Sequence, residues 1–180
     1  MKEVFCIKQF IFSATFIVGL MILPATSSAE IKYEVQSDDT LYSIAQDYQV
    51  DVNTIIAVNA SVKDESDIQA GETIQIPDED GATFKVTAYT AGEESTDKEP
   101  DDEDYGVTAS GEKVKENHTV ACPDPLPFGT KIHIPELDET YVCEDRGSAI
   151  TNGRLDIYTE DLDDALDFGV QNLEAKVWTY

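Results

Sequence analysis

From Phe84 to the end of the chain, short apolar runs alternate with residues that break strands. The runs are separated by Gly, Pro, Asn and Asp, and they read FKVTAYTA, HTVACPD, GTKIHIP, ETYVCED, RLDIY and LEAKVW. Runs of this length with such boundaries indicate β-strands. A segment of under about one hundred residues with many strands and one evident helix is predicted to close into a small β-barrel.

The one evident helix in this segment is predicted to follow Thr159, which can cap it, and to end at Gly169. Acidic residues in its first turn favour the positive end of the helix dipole. Helical spacing predicts a buried stripe formed by Leu162, Ala165 and Leu166.

Residues 30–77 show a different pattern, with two strands flanking two short helices. These elements are predicted to start near Lys32, Leu41, Val52 and Ile74. Asp39 or Thr40 can cap the first helix and Asp51 the second. The sequence therefore predicts a small βααβ module ahead of the barrel.

The first 29 residues are typical of a secretory signal peptide. A short segment with two lysines precedes the apolar run FIFSATFIVGLMIL, and small residues then offer a cleavage position after Ala29. An uncleaved membrane anchor is the alternative. Cys6 precedes the apolar run, so no lipobox is present, and we expect secretion without stable membrane association after cleavage.

Charge excludes one class of partner. The chain carries a net charge of -25 at pH 7, and nucleic-acid binding requires clustered Lys and Arg. The acidic run at 97–104 is predicted to be a solvated loop, because it lacks the glycine and the spacing of a calcium loop. His118 and His133 are not at zinc-ligand spacing. We therefore expect no nucleic-acid partner, no metal and no other cofactor.

Cysteine usage points to an oxidising compartment. Cys6 leaves with the signal peptide, so Cys122 and Cys143 remain as an even pair. We predict a disulfide between them, with two buried thiols as the alternative.

The N-terminal module resembles the LysM family. YEVQSDDTLYSIAQDY, VNTIIAVN and IQAGETIQIP carry the resemblance, which spans the whole segment. LysM modules bind glycans that contain N-acetylglucosamine, and the resemblance implies that the sugar lies near Asp39, Thr40, Leu41, Asp67 and Ile68. An alternative interpretation is that the first two residues only cap a helix and that the two apolar side chains belong to the core.

The C-terminal module resembles the 3D domain, which is named for three aspartates and found in lytic transglycosylases and stationary-phase cell-wall proteins. The matching motifs are VTAYTA, YGVTASGEKV, HTVAC, PFGTKIHIP, CEDRGSAI and GRLDIY. Membership implies a six-stranded double-psi β-barrel and peptidoglycan as substrate. The expected organisation is α+β, with the signal peptide at 1–29, LysM at 30–77, a linker at 78–83 and the 3D domain at 84–180.

The resemblance also implies which carboxylates act. The position of the first family aspartate is occupied here by Cys122, and Asp124 lies two positions later. The second and third family aspartates correspond to Asp145 and Asp156. Asp156 is expected to be the catalytic acid/base. Asp145 is expected to raise the pKa of Asp156 or to stabilise positive charge on the sugar. A disulfide between the two cysteines could replace the missing carboxylate structurally.

Further substrate contacts are expected around the same cleft. Glu94, with Glu93 as the alternative, follows the TAYTA motif, and Thr108 lies in TASG. The backbone of Arg146 and Gly147 is a further candidate. Alternatively, TASG only forms a tight turn and Arg146 only forms an ion pair.

Two functions fit the sequence. The first is a secreted bacterial cell-wall enzyme that binds wall glycan through LysM and cleaves the β-1,4 bond between N-acetylmuramic acid and N-acetylglucosamine, as a lytic transglycosylase does. The second is a non-catalytic peptidoglycan-binding protein or an expansin-like wall-loosening protein. In both cases the partner is the peptidoglycan glycan strand, and a monomer is expected.

Overall fold

The computed structural model describes residues 31–64, 66–78 and 81–178. The predicted signal peptide and Cys6 lie outside the described residues. Within these ranges, none of the helices combines the length and the hydropathy needed to cross a bilayer.

The N-terminal module has the predicted βααβ order. Its elements are β1 Ile31–Glu34, α1 Leu41–Tyr48, α2 Val52–Val58 and β2 Thr73–Ile76. β1 and β2 pair antiparallel, and the two helices cover one face of this ribbon with a small apolar core centred on Leu41, Ile55 and Ile74. A two-stranded ribbon needs such a cover to be stable.

Side chains at the helix starts satisfy backbone donors that the helices leave free. Thr40 is the cap of α1: its Oγ1 accepts from the Ser43 N–H at 3.0 Å, and the Ser43 Oγ accepts from the Thr40 N–H at 3.0 Å. Asp51 caps α2 by accepting from the Asn53 N–H at 2.8 Å. Of the two predicted caps for α1, Thr40 is therefore the one used.

The C-terminal module is a closed barrel of six strands with both parallel and antiparallel pairs. The barrel strands and the short helices beside them are β3 Ala82–Tyr89, α3 Glu93–Thr96, β4 Thr119–Ala121, β5 Lys131–Ile134, a 3-10 helix Pro135–Leu137, β6 Glu139–Asp145, β7 Arg154–Tyr158, α4 Leu162–Phe168 and β8 Gln171–Trp178. The strand order around the barrel is β3-β7-β4-β6-β5-β8, with β3–β7 and β4–β6 parallel. The predicted α+β fold class, with a small βααβ module followed by a six-stranded double-psi barrel, is confirmed.

The barrel interior is filled by alternate residues of its strands. Phe84, Val86, Ile132, Leu155 and Cys143 are fully buried in one cluster. Because side chains alternate across a strand, the residues between them point to the outside of the barrel. This alternation decides where the polar strand residues lie.

The helix α4 differs from the prediction in two respects. Its cap is Asp161, whose side chain accepts from the Asp163 and Asp164 N–H groups, and not Thr159. Only Ala165 of the predicted stripe is buried; Leu162 is exposed and Leu166 is 68% exposed. The helix lies against the barrel through a narrower face than its sequence suggests. Gly169 follows its last turn as predicted.

The two modules are packed against each other. Ala57 and Val58 of α2 belong to the barrel's buried cluster. The Gly153 N–H donates to the Ala57 carbonyl at 2.6 Å, and Asn152 Nδ2 donates to the Asn59 carbonyl at 3.3 Å. The barrel loop before β7 therefore binds the end of α2.

The segment predicted as a linker is short and partly structured. Asp78 pairs with Gly81 in a β-bridge, and β3 begins at Ala82. Gly81 has φ of 116°, and a Cβ there would lie 2.3 Å from the Ala175 carbonyl oxygen. Only glycine fits this close approach to β8.

Candidate functional site

Two aspartates lie on either side of one short strand of the barrel. Asp156 is the central residue of β7 and Asp145 is the last residue of β6, and both are in register with Ala121 of β4. Neighbouring strands are about 4.8 Å apart, so the two aspartate Cα atoms are about 10 Å apart across β4. The barrel order thus brings together residues that are eleven positions apart in the chain.

The site lies on the outer face of the barrel strands. Leu155 and Ile157 point into the barrel core, so Asp156 between them points outward. A second apolar cluster covers this outer face; it consists of Tyr89, Ala91, Ala121, Ile150 and Tyr158, with Tyr105 and Val114 packed against it. The carboxylates are therefore next to an apolar, partly aromatic surface.

Three donors hold the Asp145 carboxylate. Its Oδ2 accepts from the Tyr89 hydroxyl at 2.7 Å, and its Oδ1 accepts from the Ala109 N–H at 2.9 Å and from the Arg146 N–H at 2.8 Å. The donors come from β3, from the 106–114 loop and from the residue after β6. Asp145 thus joins three segments, and burial together with the Asp145 charge raises the pKa of the Tyr89 hydroxyl.

Asp156 is half-buried and has one side-chain donor. The Thr87 hydroxyl donates to its Oδ1 at 2.6 Å. Burial raises the pKa of Asp156, and the charge of Asp145 raises it further, while the Thr87 hydrogen bond and the Arg154 charge oppose the rise. A carboxyl group shifted in this direction is suited to donate and then recover a proton.

Cys122 and Cys143 are joined by a disulfide with a Cα–Cα distance of 5.8 Å. The bond ties the residue after β4 to β6, two positions before Asp145. The Cys122 N–H also donates to the Asp145 carbonyl at 3.2 Å. A covalent link thus occupies the position at which the sequence resemblance predicted the first family aspartate.

The Arg146 side chain lies against the disulfide and next to Asp124. Its guanidinium donates to the carbonyls of Cys122 and Leu126 and contacts both disulfide sulfurs. It lies 4.2 Å from the centre of the Phe128 ring and 3.5 Å from a carboxylate oxygen of Asp124, whose side chain is 96% exposed. Burial lowers its pKa. The Arg146 backbone N–H donates to the Asp145 carboxylate, and the side chain donates to the Asp145 carbonyl at 3.2 Å and braces the disulfide region.

Thr108 and Gly147 lie in the two loops that border the site. Thr108 is buried, and its hydroxyl donates to the Glu112 carbonyl and contacts the Ser110 hydroxyl. Its side chain therefore shapes the loop that brings the Ala109 N–H to Asp145. Gly147 is exposed beside Ile150.

Glu94 lies in the short helix α3 and is exposed. The Thr90 hydroxyl donates to its Oε1, and this bond lowers the pKa of the Glu94 carboxyl. The contact holds Glu94 near the end of β3. Its role in substrate binding, and that of the neighbouring Glu93, stays a prediction.

The residues expected to contact a sugar in the LysM module also have structural partners. Asp39 accepts from the Tyr33 hydroxyl and the Gln36 N–H, both at 2.7 Å, so it closes the turn after β1. Leu41 is completely buried, which leaves only its backbone for a ligand. Asp67 accepts from the Lys63 N–H at 3.2 Å, and Ile68 packs on the core. The sugar-binding role of these residues and of Thr40 stays a prediction.

The sequence reasoning missed Tyr89 and Thr87. Both belong to VTAYTA, which served only as a family motif. They are two residues apart on β3, which pairs in parallel with β7. In this pairing Thr87 lies opposite Asp156, and Tyr89 lies opposite Tyr158. The alternation of polar side chains on that strand is the signal that could have found them.

Comparison with known proteins identifies both modules. Residues 33–77 match the family model of the LysM domain, and residues 119–180 match that of the 3D domain. These matches confirm the two resemblances and their order along the chain.

Two curated relatives are similar to part of the chain. The endolysin of Bacillus phage PZA is 40% identical over 63 residues, which cover 34% of this chain and 24% of the endolysin. The cell wall-binding protein YocH of Bacillus subtilis (strain 168) is 28% identical over 99 residues, which cover 53% of this chain and 31% of YocH. The chain spans less than a third of either relative.

Proposed function

We propose that this chain, in which a LysM domain precedes a 3D domain, is a secreted cell-wall enzyme that binds peptidoglycan and cleaves its glycan strands. The LysM domain binds the N-acetylglucosamine-containing strand and raises the local substrate concentration at the barrel. The relatives named as an endolysin and as a cell wall-binding protein agree with these two activities.

The bond that it cleaves is the β-1,4 link between N-acetylmuramic acid and N-acetylglucosamine. The observation that carries this proposal is the half-buried Asp156, whose pKa is raised, beside the tightly held Asp145. A carboxyl group with a raised pKa is protonated in a larger fraction of molecules near neutral pH, as a general acid must be.

Asp156 acts twice in the reaction. It first donates its proton to the glycosidic oxygen, and the bond between that oxygen and the muramic acid C1 breaks. It then accepts the proton of the muramic acid C6 hydroxyl, whose oxygen bonds to C1 and closes a 1,6-anhydro ring. No water is consumed, and Asp156 ends protonated as it began.

Asp145 supplies a fixed negative charge. Positive charge develops on the sugar ring as the glycosidic bond breaks. Because Asp145 is held by three hydrogen bonds, it needs no reorientation when that charge appears.

The test is digestion of purified peptidoglycan by the protein and by an Asp156→Asn variant, with mass spectrometry of the soluble products. An Asp167→Asn variant, changed at an exposed position on α4, is the matched control. We expect fragments that end in 1,6-anhydromuramic acid from the protein and from the control, and none from the Asp156 variant.

Two results would overturn this proposal in different ways. Products with reducing ends would show hydrolysis in place of ring closure. An absence of release, with sedimentation on the wall intact, would exclude the enzyme.

The second candidate function is a non-catalytic peptidoglycan-binding or wall-loosening protein. The observation that favours it is the Cys122–Cys143 disulfide, which includes the position at which the sequence resemblance predicts the first family aspartate. This second function predicts that the protein and the Asp156→Asn variant both bind the wall and that neither releases soluble fragments.

A further inference from the structure

A large cleft is lined by residues of both the LysM module and the barrel. One wall is formed by α2 and the residues that follow it, including Asn53, Ile56 and Lys63; the other is formed by barrel residues, including Arg146 and Ser148. The cleft has a volume of about 1050 Å³. This is at the upper end of the range of about 300–1,000 Å³ that is usual for ligand sites, so the space exceeds the needs of one sugar.

The walls of the cleft are connected by packing and hydrogen bonds. The Gly153 N–H and Asn152 Nδ2 donate to carbonyls of Ala57 and Asn59, and Ala57 is buried in the barrel cluster. Asn152 is itself a lining residue, so these contacts border the cleft. Its shape is therefore a property of the fold.

The cleft lies between the two surfaces proposed to contact glycan. Arg146 and Gly147 line it and follow Asp145 directly in the chain. On the opposite wall, Asp64 and Ser66 line it and precede Asp67 and Ile68 in the same loop. A strand that touches both surfaces would run along the cleft opening.

The chemistry of the walls differs from that of a sugar platform. No aromatic ring is among the described residues that line the cleft. Lys63 brings an exposed positive charge to the α2 wall of a protein with a net charge of -25, whereas Arg146 on the barrel wall lies 3.5 Å from an Asp124 carboxylate oxygen and donates to backbone carbonyls. Asp64 and Asp124 add negative charge, and Ile56 and Ile150 add apolar surface. Charges of both signs beside apolar groups suit a short peptide that carries carboxylates and amino groups.

We propose that this cleft binds the peptide stem of the peptidoglycan strand whose sugars contact the LysM loop and the barrel. The inference rests on the proposed function, because it takes peptidoglycan as the ligand. The stem enters between the two modules, with a carboxylate toward Lys63 and an amino group toward Asp64. The LysM module thereby selects strands that carry stems as well as binding sugar.

The experiment compares two probes by calorimetry: the disaccharide of N-acetylglucosamine and N-acetylmuramic acid with a tetrapeptide stem, and the same disaccharide without a stem. The cleft variants are Lys63→Glu and Ser148→Arg, both at exposed positions. Lys131→Glu makes the same charge change at an exposed lysine on β5, outside the cleft lining, and is the matched control.

We expect the protein and the Lys131→Glu control to bind the stem-bearing probe more tightly than the bare disaccharide. Each cleft variant should bind the stem-bearing probe about five- to tenfold more weakly, with no change for the bare disaccharide. Equal affinity of the protein for the two probes would overturn the inference. Equal affinity of Lys63→Glu and Lys131→Glu for the stem-bearing probe would also overturn it. A loss of bare-disaccharide binding in Ser148→Arg would overturn it as well, because it would show that sugar occupies the cleft.

The outcomes separate this inference from the proposed function. Stem-dependent binding without release of wall fragments would refute the enzyme and retain the stem site. Asp156-dependent release without any preference for the stem-bearing probe would refute the stem site and retain the enzyme.

Discussion

Removal of the Cys122–Cys143 disulfide should destabilise the barrel by an amount that follows from its position in the chain. The two cysteines are 21 residues apart. The chain-entropy relation for a loop of that length gives about 3 kcal/mol at 25 °C. In a Cys122→Ser/Cys143→Ser variant the hydroxyl oxygens can still accept from Arg146, so loop entropy is expected to dominate the loss.

Urea unfolding followed by tryptophan fluorescence measures this loss. Trp178 is the single tryptophan of the chain and lies at the end of β8, paired with Lys131 of β5, so it reports on the barrel. For a urea dependence of about 1–3 kcal/mol/M, the unfolding midpoint should fall by about 1–3 M. A reductant should lower the midpoint of the unchanged protein to that of the double variant and leave the variant itself unaffected.

The same experiment can refute the reasoning at two levels. A midpoint that does not respond to reductant would show that the bond is absent or adds no stability. A double variant that is destabilised but still releases wall fragments at the full rate would show that Asp145 does not depend on the disulfide. We expect slower release, because Cys143 is two residues from Asp145 and the Cys122 N–H contacts its carbonyl.

Two further predictions concern the aspartates. Tyr89→Phe removes the hydroxyl that donates to Asp145 at 2.7 Å. Because a hydrogen bond to a charged group contributes about 1.5–3 kcal/mol, the release of wall fragments should slow about tenfold or more. Tyr158→Phe, which changes the other ring of the same aromatic pair, should leave the rate of release near its original value. Asp156 has a raised pKa in the folded protein, which means that folding favours its protonated form. The stability that this carboxyl group contributes is therefore fully present below its unfolded pKa of about 3.9 and is lost as pH rises through the folded pKa. An Asp156→Asn variant should therefore melt at a higher temperature than the unchanged protein at pH 7 but not at about pH 3, and equal shifts at both pH values would contradict this.

Much of the fold follows from sequence period. Alternating runs predicted the barrel strands, and helical spacing predicted α1 and α2, since in these elements one face is buried. The prediction failed at α4, where Leu162 and Leu166 have helical spacing but are both exposed, Leu166 at 68%. Period shows which residues share a face, but the surface that covers this face depends on the neighbouring strands. The same limit hid the packing of α2 on the barrel, which depends partly on backbone groups of Gly153 and Ala57.

The candidate site was accessible from sequence only in part. Family motifs pointed to Asp145 and Asp156, which the structure places on either side of Ala121. Their partners Tyr89 and Thr87 come from a strand distant in the chain, and only the parallel pairing of β3 with β7 brings Thr87 to Asp156. The direction of the Arg146 side chain could not be predicted from the sequence either, because an arginine in that motif could line the substrate groove or form an ion pair.

The restraints on the two aspartates differ in kind, and this difference suits different roles. Asp145 is at a strand end, where the disulfide, three hydrogen bonds and the Cys122 N–H fix both its backbone and its carboxylate. Asp156 is in the middle of a paired strand, so its backbone is fixed by the sheet. Within the described part of the chain, its carboxyl group has only the Thr87 hydroxyl as a side-chain donor. A group that gives and recovers a proton must keep an oxygen available to substrate, whereas a group that provides a fixed charge benefits from having every oxygen held. The hydrogen bonds as well as burial therefore support the proposed roles, which are acid/base chemistry for Asp156 and charge stabilisation for Asp145.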